Sequence, residues 1–200
     1  MPERDLFGEV PVPAPRPERP RKATVQPLHT WFFALRPSVP DAVSIAAFAQ
    51  DLLAAKGVSG KPIDAQRLHV TLELVGHDVG AECLERACQA ADSLKHASVD
   101  VRFDAAMTFA APSGPFVLLG DSGLDGVREL RTALACAMAD KGFTPSRSYE
   151  PHMTLGYDPQ HRIARFPLAA MGFRGAEFCL IKSHIGLSRH EVLRRWQLAE

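Results

Sequence analysis

The chain has 200 residues, 46% of them apolar and 23% charged, with 23 Lys+Arg against 23 Asp+Glu and a formal net charge of zero. That length gives one ordinary domain or two small lobes around a real core. The charge balance argues against a protein that grips long nucleic acid by bulk electrostatics, because every phosphate contact wants a cation. No apolar run approaches the ~18 residues of a membrane span, and the N-terminus lacks an apolar signal core, so a cytoplasmic protein with no membrane partner is expected.

Seven of the sixteen prolines fall in residues 2–27, mixed with Arg and Glu. Such a stretch neither propagates a helix nor enters a sheet centre, so residues 1–26 read as an extended or disordered tail, a solvated extension or a docking arm. Residues 27–200 read as the folded part. Thr30–Leu35 predicts a strand and 40–56 a helix, with Val43, Ile45, Phe48, Leu52 and Leu53 on its apolar side and Lys56-Gly57 as its stop. Arg67–Val75 predicts a strand, 80–97 a helix, Val99–Phe109 and Phe116–Leu119 strands, and 122–141 an amphipathic helix that also stops at Lys-Gly. Strands follow near 151–157, 166–172, 177–187 and 192–198. Cys83, Cys88, Cys136 and Cys179 form no C-x-x-C pair and read as buried free thiols; no metal and no cofactor is predicted.

The pattern repeats. Strand, helix ending Lys56-Gly57, and strand with His69-Val70-Thr71-Leu72 is followed by strand, helix ending Lys141-Gly142, and strand with His152-Met153-Thr154-Leu155. Trp31 to His69 is 38 positions and Phe116 to His152 is 36. Composition alone predicts roughly 0.03 His-x-Thr-Leu matches in such a chain, so two at equivalent points of a repeat are not accidental. Two similar lobes are expected, facing each other across a cleft.

Side chains alternate faces in a strand. His69 and Thr71 therefore share a face, as do His152 and Thr154. Two imidazoles can serve as acid and base near neutral pH, and threonine hydroxyls can donate to phosphate oxygens. The set describes a clamp for a phosphodiester. No H-E-x-x-H and no G-x-S-x-G is present, which disfavours zinc hydrolysis and a serine nucleophile. The other class of reading is a non-catalytic binder of nucleotides or RNA ends. Trp31 and Phe33 share a face of the first strand, where Phe33 packs in the core or stacks a nucleobase. The remaining histidines have no partner in the repeat and read as ordinary.

The duplicated motif, Phe32-Phe33-Ala34-Leu35, Tyr149-Glu150-Pro151-His152-Met153-Thr154-Leu155, and the closing Leu180-Ile181-Lys182-Ser183 with Leu193-Arg194-Arg195-Trp196-Gln197-Leu198 resemble the bacterial RNA 2′,3′-cyclic phosphodiesterases. These are also called 2′-5′ RNA ligases, within the two-histidine phosphoesterase superfamily. The resemblance spans about residues 28–200. It implies an α+β fold of two pseudo-symmetric lobes, with antiparallel sheets lining a central cleft and helices outside. It implies metal-free hydrolysis of a 2′,3′-cyclic phosphate to a 2′-phosphate, on an RNA terminus or small nucleotide, with 2′-5′ ligation as the reverse reaction. By that resemblance His152 is the base and His69 the acid, and Thr71 and Thr154 hold the non-bridging oxygens. A monomer acting on no long duplex is expected. The family's arginine two residues beyond the second motif is here Tyr157, and Arg67, sharing parity with His69, is the preferred substitute, ahead of Arg36 and Arg147; the departure leaves a phosphodiesterase on another cyclic or 2′-linked nucleotide as the alternative reading.

Overall fold

A computed structural model describes residues 28–200; the predicted tail, 1–26, lies outside the described residues. The elements are β1 (His29–Leu35), α1 (Val39–Ala55), β2 (Val70–His77), α2 (Ala81–Asp92), β3 (Val99–Thr108), β4 (Pro115–Leu119), α3 (Asp125–Asp140), β5 (Met153–Tyr157), β6 (Phe166–Gly175), β7 (Glu177–His184) and β8 (Arg189–Gln197). Short 3-10 turns at Ala65–Arg67 and Ser122–Leu124 precede β2 and α3.

All eight strands join in one antiparallel, curled sheet of order β6-β3-β4-β5-β2-β1-β7-β8. The two predicted lobes are its halves. β2 and β5, the motif strands, meet at the centre through a single pairing of Val70 with Met153. Each is flanked outward by the strand that opened its repeat unit, β1 or β4. The Lys-Gly stops hold: Gly57 and Gly142 take φ of 67° and 83°, a backbone region that costs glycine least.

The sheet's two faces are unequal. One carries the main core, where Phe33, Leu35, Val70, Leu72, Phe103 and Met153 meet Ile45, Leu53, Leu130 and Leu134 of the helices, all nearly sealed from water. Each such side chain contributes on the order of 1.5–3 kcal/mol by burial. The opposite face has only two small apolar clusters, Phe32 with Ala34, Cys179 and Ile181 in one half, and Ala105 with Val117 and Leu119 in the other. The space between them is left to polar side chains.

Several boundaries differ from the expected ones. α2 stops at Asp92 rather than 97, because Ser93 turns its hydroxyl back to the Ala90 carbonyl and Asp92 is held by Trp196 and Arg194 of β8. On α1 it is Ala42 and Ala49, not Val43, that face the sheet beside Ile45, Leu52 and Leu53, since small residues let the helix approach; Val43 is exposed. All four cysteines are free, but only Cys179 is buried, and Cys136 is exposed. Among the described residues no helix is long and apolar enough to cross a membrane.

Candidate active site

The pairing of Val70 with Met153 decides the geometry of the site. Both side chains are fully buried on the helix side. Alternation then turns His69, Thr71, His152 and Thr154 to the opposite face, where all four are partly exposed. His69 and Thr71 thus flank the pairing on one strand, and His152 and Thr154 flank it on the other.

These groups line one cleft of about 400 Å³, together with Phe32, Ile63, Arg67, Leu74, Tyr157 and His190. Six of the seven predicted site residues are therefore brought together: His69, Thr71, His152, Thr154, Arg67 and Tyr157. Arg67 keeps the expected parity although it ends a 3-10 turn instead of starting a strand, because Leu68 is already extended. Tyr157, half-exposed, stands at the lip. Its backbone is backed by Gly60, where a Cβ would lie 1.8 Å from the Tyr157 carbonyl oxygen.

Phe33 is the exception and corrects the nucleobase expectation. It is fully buried on the helix side, packed against Phe178 and Trp196 with ring centroids 6.0 and 5.6 Å away. The phenylalanine in the cleft is its neighbour Phe32, 5.1 Å from the His69 ring.

Both motif histidines are anchored alike. His69 Nδ1 lies 2.6 Å from the carbonyl oxygen of Arg67, and His152 Nδ1 lies 2.7 Å from that of Glu150, in each case the residue two before. A carbonyl only accepts, so Nδ1 carries the proton and the neutral ring keeps its lone pair on Nε2. Each ring also leans on an aromatic one, Phe32 for His69 and Phe109 for His152, the latter edge-on at 4.8 Å.

The surroundings of His69 are drier and more crowded with rings. His69 is hemmed by Phe32 and by His190, whose ring sits edge-on at 5.2 Å. Desolvation, opposed by the Arg67 carbonyl bond and assisted by His152, Arg36 and Arg67, brings its pKa down to about 4. His190, between Phe32 and His69, falls to about 3, again chiefly by desolvation, with His69, Arg67 and Arg36 adding repulsion. At neutral pH the free site holds the rings of His69 and His190 uncharged.

Behind the cleft floor lies a second polar group. A register irregularity between β1 and β2 sets Phe33 opposite Glu73 and Ala34 opposite Thr71. This bulge reverses the alternation: Leu74 faces the cleft and Glu73, 4% exposed, turns to the helices. There Arg131 of α3 meets it at 2.5 Å, stacks 5.1 Å from the Tyr149 ring, and donates to the Ser146 carbonyl. Tyr149 in turn donates its hydroxyl to the Thr71 carbonyl at 2.8 Å, and its burial pushes its phenol above the ordinary range. At the other edge Asp158 is buried and accepts from Ser59, Gln160 and His161, tying the 57–62 segment to the end of β5; those bonds, led by the Ser59 amide, hold its carboxyl below the usual range.

Residues that the strand pattern did not single out are thus Phe32, Phe109, His190 and the Glu73–Arg131–Tyr149 group. Among the described residues no three His, Cys, Asp or Glu side chains converge as a metal site.

The family model of the 2′-5′ RNA ligase superfamily matches residues 39–186. No curated protein matches the chain by sequence. Among solved structures it is similar to Escherichia coli LigT complexed with 3′-AMP, at TM-score 0.71 and 23% identity, over 88% of this chain and 100% of that one. It is similar to LigT complexed with ATP at TM-score 0.68 and 22% identity over the same shares. The TT0787 protein of Thermus thermophilus follows at TM-score 0.61 and 16% identity, over 84% of this chain and 97% of that one. These likenesses establish the shared fold.

Proposed function

The chain belongs to the 2′-5′ RNA ligase superfamily, and from that footing we propose that it is a metal-independent phosphodiesterase that opens 2′,3′-cyclic phosphates on RNA ends or small nucleotides to 2′-phosphates. The observation that carries the reading is the matched anchoring of two imidazoles, each held through Nδ1 with Nε2 free, over two threonine hydroxyls in one cleft. A small nucleotide suits a cleft of about 400 Å³. E. coli LigT, which shares the fold, is complexed with 3′-AMP and with ATP in solved structures.

In this mechanism the threonine hydroxyls of Thr71 and Thr154 donate to the non-bridging oxygens. Nε2 of neutral His152 takes a proton from water as the water oxygen bonds to phosphorus. The bond from phosphorus to O3′ breaks, and O3′ takes a proton from Nε2 of His69. His69 is neutral in the free protein, so it must gain that proton with the substrate. An anionic phosphate beside it does this, because it favours the imidazolium and offsets the repulsion from Arg67 and Arg36. Arg67 supplies the cationic charge that Tyr157 does not. With a 5′-hydroxyl in place of water the same displacement gives 2′-5′ ligation: O5′ bonds to phosphorus as His152 takes its proton, and the bond from phosphorus to O3′ breaks as O3′ takes a proton from His69.

Turnover of 2′,3′-cyclic nucleotides, followed by phosphorus NMR, tests the reading. A 2′-phosphate product is expected, and His69→Ala and His152→Ala should each lower kcat by about 10²–10⁴. Wild-type rates in either variant would sink it.

A further inference from the structure

A second recess of about 370 Å³ adjoins the cleft and shares two of its walls, Arg67 and His190. Three arginines line it from three separate elements: Arg36 just past β1, Arg67 at the end of the turn before β2, and Arg189 at the start of β8. Ser188, in the left-handed region at φ 50°, closes the β7–β8 turn immediately before Arg189. The one carboxylate on the wall is Asp64.

Of the thirteen arginines among the described residues, six meet a carboxylate and seven do not, and three of those seven line this recess. Arg128, Arg131, Arg165, Arg174, Arg194 and Arg195 each meet a carboxylate. None of Arg36, Arg67 and Arg189 forms an ion pair among the described residues. Arg36 is steadied by donating to the Gln66 carbonyl at 2.6 Å, which leaves its other N–H groups free. The Nε of Arg67 is buried with no partner among the described residues. A buried donor without an acceptor costs on the order of 1–3 kcal/mol, and a cluster of like charges adds repulsion. In a chain of zero net charge, such an arrangement wants an anion. Guanidinium groups fit phosphate oxygens in pairs, which makes phosphate the matching chemistry.

We propose that this recess is a second phosphate subsite, contiguous with the histidine cleft through Arg67 and His190, which takes a phosphate one nucleoside away from the cyclic phosphate. The assignment rests on the phosphodiesterase reading and narrows its substrate class. Preferred substrates are cyclic-phosphate ends that carry a second phosphate, either the internal diester of an RNA terminus or the 5′-monoester of a mononucleotide. A bare cyclic nucleoside phosphate fills only half of the site.

Steady-state kinetics on three substrates decide this: a 2′,3′-cyclic mononucleotide, the same compound with a 5′-phosphate, and a dinucleotide ending in the cyclic phosphate. The wild-type chain should favour one or both of the doubly phosphorylated substrates by about 10-fold or more in kcat/KM, mostly through KM, the gain of one charge-assisted contact. Preference for the 5′-phosphorylated compound alone assigns a monoester, and preference for the dinucleotide alone a diester; either supports the subsite. Arg189→Gln should bring the three substrates together while leaving the bare cyclic mononucleotide unchanged, and Arg36→Gln should also narrow the gap. Equal kcat/KM for all three substrates, or a preference that survives both substitutions, overturns the subsite and leaves the phosphodiesterase reading intact. If none is turned over, that reading fails instead. Calorimetric binding of a nucleoside 3′,5′-bisphosphate against the 3′-monophosphate, in wild type and Arg189→Gln, then still decides the subsite: an Arg189-dependent advantage supports it and equal affinity refutes it.

Discussion

Replacing Arg131 with methionine tests the charge buried behind the cleft floor. Glu73 is 4% exposed and the Arg131 side chain 13%, with Nη2 and Oε2 2.5 Å apart. Methionine keeps the apolar stem and removes the guanidinium, so the carboxylate stays buried without its cation. Breaking a buried pair from one side costs about 3–5 kcal/mol. The upper part of that range is expected, because Arg131 also donates to the Ser146 carbonyl and stacks on Tyr149. Against a total stability of about 5–15 kcal/mol this is a large share. Urea unfolding followed by tryptophan fluorescence reads it, since Trp31 is buried in the main core and Trp196 packs against it. Glu73→Leu placed in the Arg131→Met background should recover most of the loss, because the unpaired charge is then gone. A loss under about 1 kcal/mol for Arg131→Met, the worth of an exposed pair, refutes the reasoning.

Acid should destabilise the protein through His69. Its folded pKa of about 4 lies below the unfolded value of 6.5, so as pH falls below 6.5 the unfolded chain binds a proton that the folded one refuses, and stability drops until about pH 4. The share at pH 5 is about 2 kcal/mol, which His69→Asn should remove from the difference between urea midpoints at pH 7 and pH 5; an unchanged difference contradicts the desolvated state of the ring. Gly60→Ala puts a Cβ 1.8 Å from the Tyr157 carbonyl oxygen, so it should cost about 1–3 kcal/mol in urea unfolding and lower activity by displacing the end of β5. The acid and base roles separate on an aryl phosphodiester, whose leaving group needs no proton: His69→Ala should retain far more of its activity there than His152→Ala does, and equal losses would reverse or merge the roles.

How far the sequence carried depended on whether period and repeat were unbroken. His69, Thr71, His152 and Thr154 were legible because two strands with intact alternation occur at equivalent points of a repeat. Gly57 and Gly142 were legible as helix stops because a cation followed by glycine ends a helix by local geometry. Phe32 and Phe33 were not separable, since adjacent aromatics have the same hydrophobicity and only the helices packing on one face decide which of them is core. Glu73 carries the parity of Thr71, and only the bulge against β1 sends it to Arg131. Leu94 continues the spacing of α2 although the chain has already left the helix at Ser93. His190 has no counterpart in the repeat; it reaches His69 through the β7–β8 hairpin, a long-range pairing that no local pattern announces.

The sheet order is nearly a palindrome, yet its halves differ in what they bring to a duplicated motif. On the His69 side β1 and β8 deliver Phe32 and His190, which dry the imidazole, while Arg36 and Arg67 add charge repulsion. On the His152 side the neighbouring ring is Phe109. The repeat alone would make two equivalent histidines, which cannot divide acid from base. The flanking strands, which are not repeated, supply the difference. On the proposed mechanism they leave His69 proton-poor until an anionic substrate arrives, and the arginine-lined recess lies on the same side. A zero net charge is then no obstacle to the proposed phosphate binding, because a local excess of three arginines over one carboxylate can serve it without a basic surface.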